Sequence, residues 1–193
     1  MQAFKHVHLP TTDFALHLLG VDAYALSKRF KRVVTIERNE MVAEVARENF
    51  RRLGAENIEV VCSSAEEFLA GCTDHFDWCF SDPDRRGEKG EKLVRLEDCS
   101  PDVVALMPTL QRVADHICIK CSPLFDVNEA FRLFGDCTVE TVSLGGEAKE
   151  VNIYIDGSAP RLTAVAVGLG EISAGVEERN NAKWSAQPND LAQ

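Results

Sequence analysis

Short runs of apolar and β-branched residues alternate along this chain with segments of helical periodicity. Four of these runs predict strands, each separated from the next by a helical segment: KRVVTIE, NIEVVCS, FDWCFSDP and DHICIKCSP. Strands that alternate with helices in this way form a parallel sheet with helices on both faces. TVETVSLG and KEVNIYID, joined by a Gly-Gly connection, predict a final antiparallel pair. We therefore expect an α/β fold: a doubly wound, Rossmann-like sheet, mainly parallel, with a C-terminal antiparallel hairpin.

The ends of two helices are predicted by their capping residues and prolines. In NEMVAEVARENFRRLG, Asn39 is a suitable N-cap, apolar residues recur at helical spacing, and Gly54 follows the last turn. In CSPDVVALMPTLQRVA, Pro101 stands near the start of the helix and Pro108 predicts a kink or a break. The first segment is the clearest helix of the chain.

Composition limits the compartment and the class of protein. The 193 residues suffice for one domain with a single substantial core. No apolar run approaches the roughly 20 residues of a membrane span. The start, MQAFKHVHLPTTDF, lacks the apolar stretch of a signal peptide, and the seven cysteines are scattered. We expect a cytoplasmic protein that makes no membrane contact.

The spacing Cys118-Ile-Lys-Cys121 is compatible in principle with a metal or redox pair. However, ICIKCSP is a predicted strand, and residues three apart on a strand point to opposite faces. Two thiols on opposite faces cannot easily bind one ion. We interpret both cysteines as small buried hydrophobes and predict no metal site.

The net charge of −10 argues against a protein that coats nucleic acid without selectivity. A local basic cluster nevertheless follows the third predicted strand, made of Arg85, Arg86, Lys89, Lys92 and Arg95. Arginine side chains offer fork-shaped donors that suit a phosphate group. The alternative is a turn with a surface ion network through the acidic residues of the same segment, Asp84, Glu88 and Glu91.

Polar residues stand where three predicted strands end, and ligands of open α/β sheets bind outside the carboxyl ends of the strands. Glu37 ends VVTIE, where a carboxylate can accept hydrogen bonds from both hydroxyls of a ribose. The alternative is an exposed carboxylate beside the start of the following helix, near Asn39. Ser64 follows the next strand as a weak acceptor for an adenine, with the Ala65 N–H beside it. We favour a different role for Ser64: the N-cap of the following helix, with Glu67 completing a capping box.

Asp82 and Pro83 stand where the third strand leaves the sheet. Proline cannot continue a central strand, so it directs the Asp82 carboxylate into the expected cleft. There the carboxylate can accept a hydrogen bond from a substrate amine or support a cofactor.

Several segments together resemble the class I S-adenosylmethionine-dependent methyltransferases that carry a THUMP-like domain at their C-terminus. They are VVTIERNEMVAEVARENFRRLGAENIEVVCSSAEEFL, FDWCFSDPDRR, LVRLEDCSPDV, ICIKCSPLFD and EAKEVNIYI. The resemblance covers about Gly20 to Ile155, and DPDRR, RLEDC and IKxSP are its most specific parts in combination. It implies S-adenosylmethionine as the cofactor and RNA, a tRNA or rRNA base, as the substrate.

The resemblance also implies roles for individual residues. Cofactor binding is assigned to Gly20, Asp22, Glu37, Ser64, Ala65 and Asp82; catalysis to Asp82, Pro83 and Arg85; substrate binding to Arg85, Arg86, Lys120 and Ser122. Relatives of this family have a glycine-rich first turn of the kind DLTGGLGVD. The corresponding DFALHLLGVD keeps only Gly20, Val21 and Asp22, and places His17 and Leu18 where glycines are expected.

We expect three segments in the chain: residues 1–19, which match the family poorly, a methyltransferase-like core at 20–157, and a partly disordered extension at 158–193.

The altered first turn leaves more than one function open. The main expectation is an active methyltransferase. The alternative is an inactive methyltransferase-like module that binds RNA or protein. A dinucleotide-dependent oxidoreductase is disfavoured because no GxGxxG follows any predicted strand.

Overall fold

The computed structural model describes residues 13–15, 20–84 and 95–176. The strands are β1 (Asp13–Ala15), β2 (Arg32–Glu37), β3 (Ile58–Cys62), β4 (Phe76–Ser81), β5 (Ala114–Cys121), β6 (Thr138–Leu144), β7 (Glu147–Ile155), β8 (Arg161–Ala166) and β9 (Gly170–Gly175). The helices are α1 (Gly20–Ser27), α2 (Glu40–Arg52), α3 (Ala65–Gly71), α4 (Val103–Val113) and α5 (Val127–Phe134), with a 3-10 turn at Leu96–Asp98.

All nine of these strands form one sheet in the order β3-β2-β1-β4-β5-β7-β6-β8-β9. The first five in that order run parallel to one another, and β7 lies antiparallel between β5 and β6. This arrangement confirms the predicted doubly wound sheet and its antiparallel hairpin. Gly145 and Gly146 form the turn of that hairpin at φ values of 62° and 82°, which residues with a side chain rarely adopt.

The capping residues of α2 and α5 act as their types predict. The Asn39 side chain accepts hydrogen bonds from the N–H groups of Met41 and Val42 at the start of α2. Gly135 ends α5 with a positive φ of 67°. The longest helix in the described residues has 13 residues, and none of these helices is long and apolar enough to cross a membrane.

Helix α4 begins close to Pro101, as predicted, and is not broken at Pro108. It begins at Val103, after Pro101, because the Asp102 side chain caps it by accepting hydrogen bonds from the N–H groups of Val104 and Ala105. It also continues through Pro108 to Val113. An interior proline removes one backbone hydrogen bond, and the helix retains its buried contacts on both sides of that position, at Val103, Leu110 and Val113.

Strands β8 and β9 were not predicted. β8 pairs in parallel with β6, and β9 pairs antiparallel with β8, so the sheet continues beyond the expected hairpin. Both strands lie within residues 158–193, the segment that the sequence predicted as a partly disordered extension. The end for which disorder is predicted, SAQPNDLAQ (185–193), lies outside the described residues, and the proposed domain boundaries stay predictions.

The two faces of the sheet bury different cores. Ile117, Ile119 and Ile153 face a core that includes residues of α3, α4 and α5. Cys118 and Tyr154, their neighbours on the same strands, face a second core that includes residues of α1 and α2. Cys118 and Cys121 are both buried and belong to different cores, as the strand pattern predicted.

Candidate active site

The parallel strands bring several of the predicted residues to one edge of the sheet. β2, β3, β4 and β5 all end there, with Glu37 opposite Cys62 and Ser81 opposite Ile119 in the strand register. The chain order of the strands reverses between β1 and β4, so the crevice expected in such sheets lies at this edge. Gly20 opens α1, which follows β1.

The Asp82-Pro83 segment follows β4 at this edge, as predicted. Pro83 is buried and Asp82 is partly exposed. Immediately beyond them, Asp84 and Ser100 form an isolated β-bridge with two backbone hydrogen bonds of 2.8 and 3.1 Å. This bridge pairs the two residues that flank the segment 85–99, in which the predicted basic cluster stands. Arg85 and Arg86 themselves lie outside the described residues.

Lys120 on β5 connects two of the predicted acids. Its ammonium group donates a hydrogen bond to Oδ2 of Asp82 at 3.0 Å and lies 3.5 Å from Oδ2 of Asp22 in the first turn of α1. About a quarter of each side chain is exposed: 25% for Lys120, 27% for Asp82 and 21% for Asp22. We call these three residues the acid–lysine cluster. It joins residues predicted separately for cofactor, catalysis and substrate.

The acids keep Lys120 charged. Partial burial disfavours its ammonium form, but the hydrogen bond to Asp82 and the negative charges of Asp82, Asp22 and Glu150 outweigh that cost. The pKa of Lys120 is therefore raised above its usual value. A lysine in this state supplies a fixed positive charge and is unsuited to act as a general base near neutral pH.

Glu37 ends β2 as predicted. One carboxylate oxygen, Oε1, accepts a hydrogen bond of 2.7 Å from the N–H of Asn39, the residue that caps α2. This contact orients the carboxylate at the sheet edge. The other oxygen, Oε2, accepts no hydrogen bond from the described residues.

The two predicted serines are engaged locally. Ser64 Oγ accepts a 3.1 Å hydrogen bond from the N–H of Glu67, so Ser64 is the N-cap of α3, as the favoured interpretation predicted. Ser122 Oγ accepts a 3.2 Å bond from the N–H of Leu124 in the turn after β5. Ala65 is the first residue of α3, and its predicted contact with an adenine stays a prediction. His17 and Leu18, which replace expected glycines, lie outside the described residues.

A set of buried polar side chains beside the acid–lysine cluster was not predicted from the sequence. Asn152 on β7 lies opposite Lys120 in the register, and Glu140 on β6 lies opposite Asn152. The Asn152 side-chain NH₂ donates to Glu140 and to Glu150, each at 3.3 Å, and the Tyr154 hydroxyl donates to Glu140 at 3.1 Å. The sequence does contain a signal for these side chains, because each of them is a polar residue within a largely apolar strand.

One atom of this set of polar side chains lacks a hydrogen-bond partner among the described residues. Asn152 is fully buried, and its Oδ1 has no hydrogen-bond partner within the described part of the chain. The amide orientation follows from the two carboxylates, which require the NH₂ group to face them.

Burial raises the pKa of Tyr154, and also that of Cys118 on the adjacent strand, so the phenol and the thiol keep their protons at neutral pH.

No set of three or more acidic, histidine or cysteine side chains among the described residues is arranged to hold a metal ion.

No sequence family matches the chain, and no curated protein matches it. Solved structures match it in fold. A proposed methyltransferase from Porphyromonas gingivalis W83 has a TM-score of 0.77 at 24% sequence identity, and the match covers 94% of this chain and 48% of that chain. The present chain thus spans about half the length of that protein.

Two further solved structures share the fold. A proposed methyltransferase from Streptococcus mutans in complex with S-adenosylhomocysteine has a TM-score of 0.52 at 12% identity, covering 75% of this chain and 88% of that chain. An rRNA methylase from Streptococcus thermophilus has a TM-score of 0.54 at 9% identity, covering 75% and 85%. Together with the strand order, these similarities show that the chain has the α/β fold of methyltransferases.

Proposed function

We propose that the chain is the core of an S-adenosylmethionine-dependent methyltransferase of the THUMP-like-domain type, and that it acts on RNA. One observation carries the proposal: Asp22, Asp82 and Lys120 meet at the carboxyl edge of a methyltransferase-type sheet. This edge is where open α/β sheets bind their ligands.

The residues present fit the proposed cofactor. When bound, S-adenosylmethionine supplies an electrophilic methyl group on a positively charged sulfonium, which becomes a neutral thioether once the methyl group has left. Asp22 and Asp82 carry negative charge next to Lys120, so the cluster suits a ligand with a positive centre. Oε2 of Glu37, at the end of β2, is a suitable acceptor for a ribose hydroxyl.

Asp82 is the proposed catalytic residue. Its carboxylate would accept a hydrogen bond, or a proton, from the attacking group of the substrate. Lys120 would hold that carboxylate in place through the 3.0 Å hydrogen bond, and buried Pro83 would fix the backbone behind it. Positioning of the acceptor would supply much of the rate enhancement.

RNA is the proposed substrate for two reasons. Arg85 and Arg86 stand three and four residues after Asp82 in the sequence, and the residues that flank their segment, Asp84 and Ser100, pair in a β-bridge. Guanidinium groups bind phosphates with paired hydrogen bonds. An rRNA methylase is among the proteins of the same fold.

Transfer of radiolabelled methyl groups tests this proposal. The protein would be incubated with methyl-tritiated S-adenosylmethionine and either total cellular RNA or a protein extract. We expect acid-precipitable label that nuclease releases and protease does not. Label that only protease releases would contradict the RNA substrate while supporting methyl transfer.

An Asp82→Ala variant tests the catalytic role. We expect at least about a hundredfold loss of methyl transfer, because a positioned base typically contributes a factor of about 10²–10⁴. Asp84→Ala is a matched control, since it removes the neighbouring carboxylate and leaves the backbone bridge to Ser100 in place. If wild type transfers no methyl group but binds RNA, the inactive-module alternative is favoured.

A further inference from the structure

The acid–lysine cluster contains charges of both signs, and its net charge affects which ligands it binds. Two carboxylates, Asp22 and Asp82, lie beside one ammonium group, that of Lys120. Lys120 lies within ion-pair distance of both acids, at 3.5 and 3.0 Å. It therefore reduces the negative charge that these acids present to a ligand.

The proposed donor and its product differ in charge at a single atom. Both contain the same adenosine and the same amino acid group, so contacts to those parts affect the two ligands alike. The product lacks the methyl group, and its sulfur is a neutral thioether where the donor has a cationic sulfonium. The ratio of the two affinities therefore depends on contacts to the methyl group and on the electrostatic potential at the sulfur, and a change of charge nearby acts on the second.

We propose that Lys120 is a specificity-determining residue: its charge sets how strongly the site prefers the cationic methyl donor over its neutral thioether product. This inference rests on the proposed function. The carboxylates favour the sulfonium, and methyl transfer removes the positive charge that they bind. Lys120 limits this preference, since without it the acids would attract the sulfonium more strongly.

Two features distinguish this role from that of an ordinary surface ion pair. Lys120 contacts carboxylates from two different elements, α1 and the end of β4, so it links the two sides of the crevice. All three side chains are about three-quarters shielded from solvent. Charges in such a setting are screened less by water and salt than fully exposed pairs are.

Isothermal titration calorimetry of S-adenosylmethionine and S-adenosylhomocysteine tests the inference with three variants. Lys120→Met removes the positive charge, and we expect the ratio of donor affinity to product affinity to rise roughly tenfold for one partly screened charge. Asp22→Asn removes a negative charge, and the ratio should fall by a similar factor. Lys120→Arg keeps the charge, so the ratio should stay close to that of wild type.

Lys149→Met is the control for the substitution itself. Lys149 lies on β7, exposed and paired with Glu147, and its removal should leave the ratio unchanged. Thermal unfolding would verify that each variant is folded before the affinities are compared. Because the measured quantity is a ratio of affinities, a general loss of binding by a distorted site cancels.

The outcomes separate this inference from the proposed function. Opposite shifts in Lys120→Met and Asp22→Asn would support it. Binding of both ligands with the same ratio in wild type and Lys120→Met would overturn it and leave the proposed cofactor intact. Absence of binding of either ligand to folded wild type would overturn the proposed function and the inference together.

Discussion

The two faces of strands β5 and β7 differ in polarity. On one face, Ile117, Ile119 and Ile153 are at most 1% exposed and pack in an apolar core. The other face also carries an apolar core, which includes Cys118, but Lys120 and Asn152 lie on this face too, among carboxylates and a tyrosine hydroxyl. Neighbouring residues of one strand thus pack in different environments, because successive side chains point to opposite faces.

The difference shows where the fold is stabilised and where chemistry is available. Apolar burial contributes about 25 cal/mol per Å² without requiring partners. A buried carboxylate such as Glu140 requires hydrogen bonds to offset the loss of water, and it receives them from Asn152 and Tyr154. We infer that the apolar face contributes to stability, whereas the mixed face contributes to stability and also supplies the groups that bind a ligand. Substitutions on each face test this difference.

The largest effect on stability is expected from Ile153→Ala on the apolar face. Ile153 is fully buried, so its truncation leaves a cavity and should lower the free energy of unfolding by about 2–5 kcal/mol. Chemical denaturation measures this loss. The affinity of the folded fraction for S-adenosylhomocysteine should not change; a large drop in affinity would show that the two faces are not separable.

A smaller effect is expected from Tyr154→Phe on the mixed face. The change removes the hydroxyl that donates to Glu140, and a poorly satisfied buried carboxylate should cost about 1–3 kcal/mol in unfolding free energy. Since the pKa of Tyr154 is raised well above neutrality, this loss should be constant from pH 6 to pH 9.

Tyr24→Phe is the control, because Tyr24 is the only other tyrosine of the chain. Its ring lies beneath the ammonium of Lys28, a contact that phenylalanine retains. We expect almost no change in unfolding free energy. Equal losses in the two variants would contradict the stabilising role of the bond between Tyr154 and Glu140.

The smallest effect is expected at the amino ends of β4 and β5, where the side chains of His75 and Asp115 pair at 2.9 Å. More than half of each side chain is exposed, 54% and 58%, so the pair should contribute well under about 1 kcal/mol. The hydrogen bond to Asp115 raises the pKa of His75 above its usual 6.5.

The sign of this effect on stability follows from the raised pKa. The contribution is fully present below pH 6.5 and disappears as the pH rises through the higher value of the folded state. Asp115→Asn should therefore be slightly less stable than wild type below pH 6.5 and indistinguishable from it in alkaline solution. A difference in unfolding free energy that grows with pH would contradict this assignment.

The elements of the fold that depend on local signals could be predicted from the sequence. The Asn39 cap, the Gly145–Gly146 turn and the alternation of β5 each depend on neighbouring residues, and the structure confirms them. β9 gave no such signal, because GEISAG is short, begins and ends with glycine, and has mostly exposed residues. Its strand character depends on its pairing with β8.

The candidate site was predicted residue by residue, but not as a cluster. Asp82 stood out as an acid at the end of an apolar strand, and Lys120 was assigned through the family resemblance. Their bond, and the proximity of Asp22, depend on how β1, β4 and β5 are ordered in the sheet, which sequence patterns do not specify at the level of side-chain contacts. The Ser64 cap was predicted because it is a local hydrogen bond. The local hydrogen bond of Ser122 was not predicted.

The fold and the residues at the carboxyl edge of this sheet together predict that a nucleoside cofactor binds there. Calorimetric titration of S-adenosylhomocysteine into wild type, Glu37→Ala and Glu44→Ala tests this prediction. Glu44 is an exposed residue of α2 paired with Arg47, so its variant controls for the loss of a carboxylate. We expect micromolar binding to wild type and Glu44→Ala, weakened at least about tenfold in Glu37→Ala by the lost charge-assisted hydrogen bonds. No binding to folded wild type, or equal binding to all three proteins, would contradict the account.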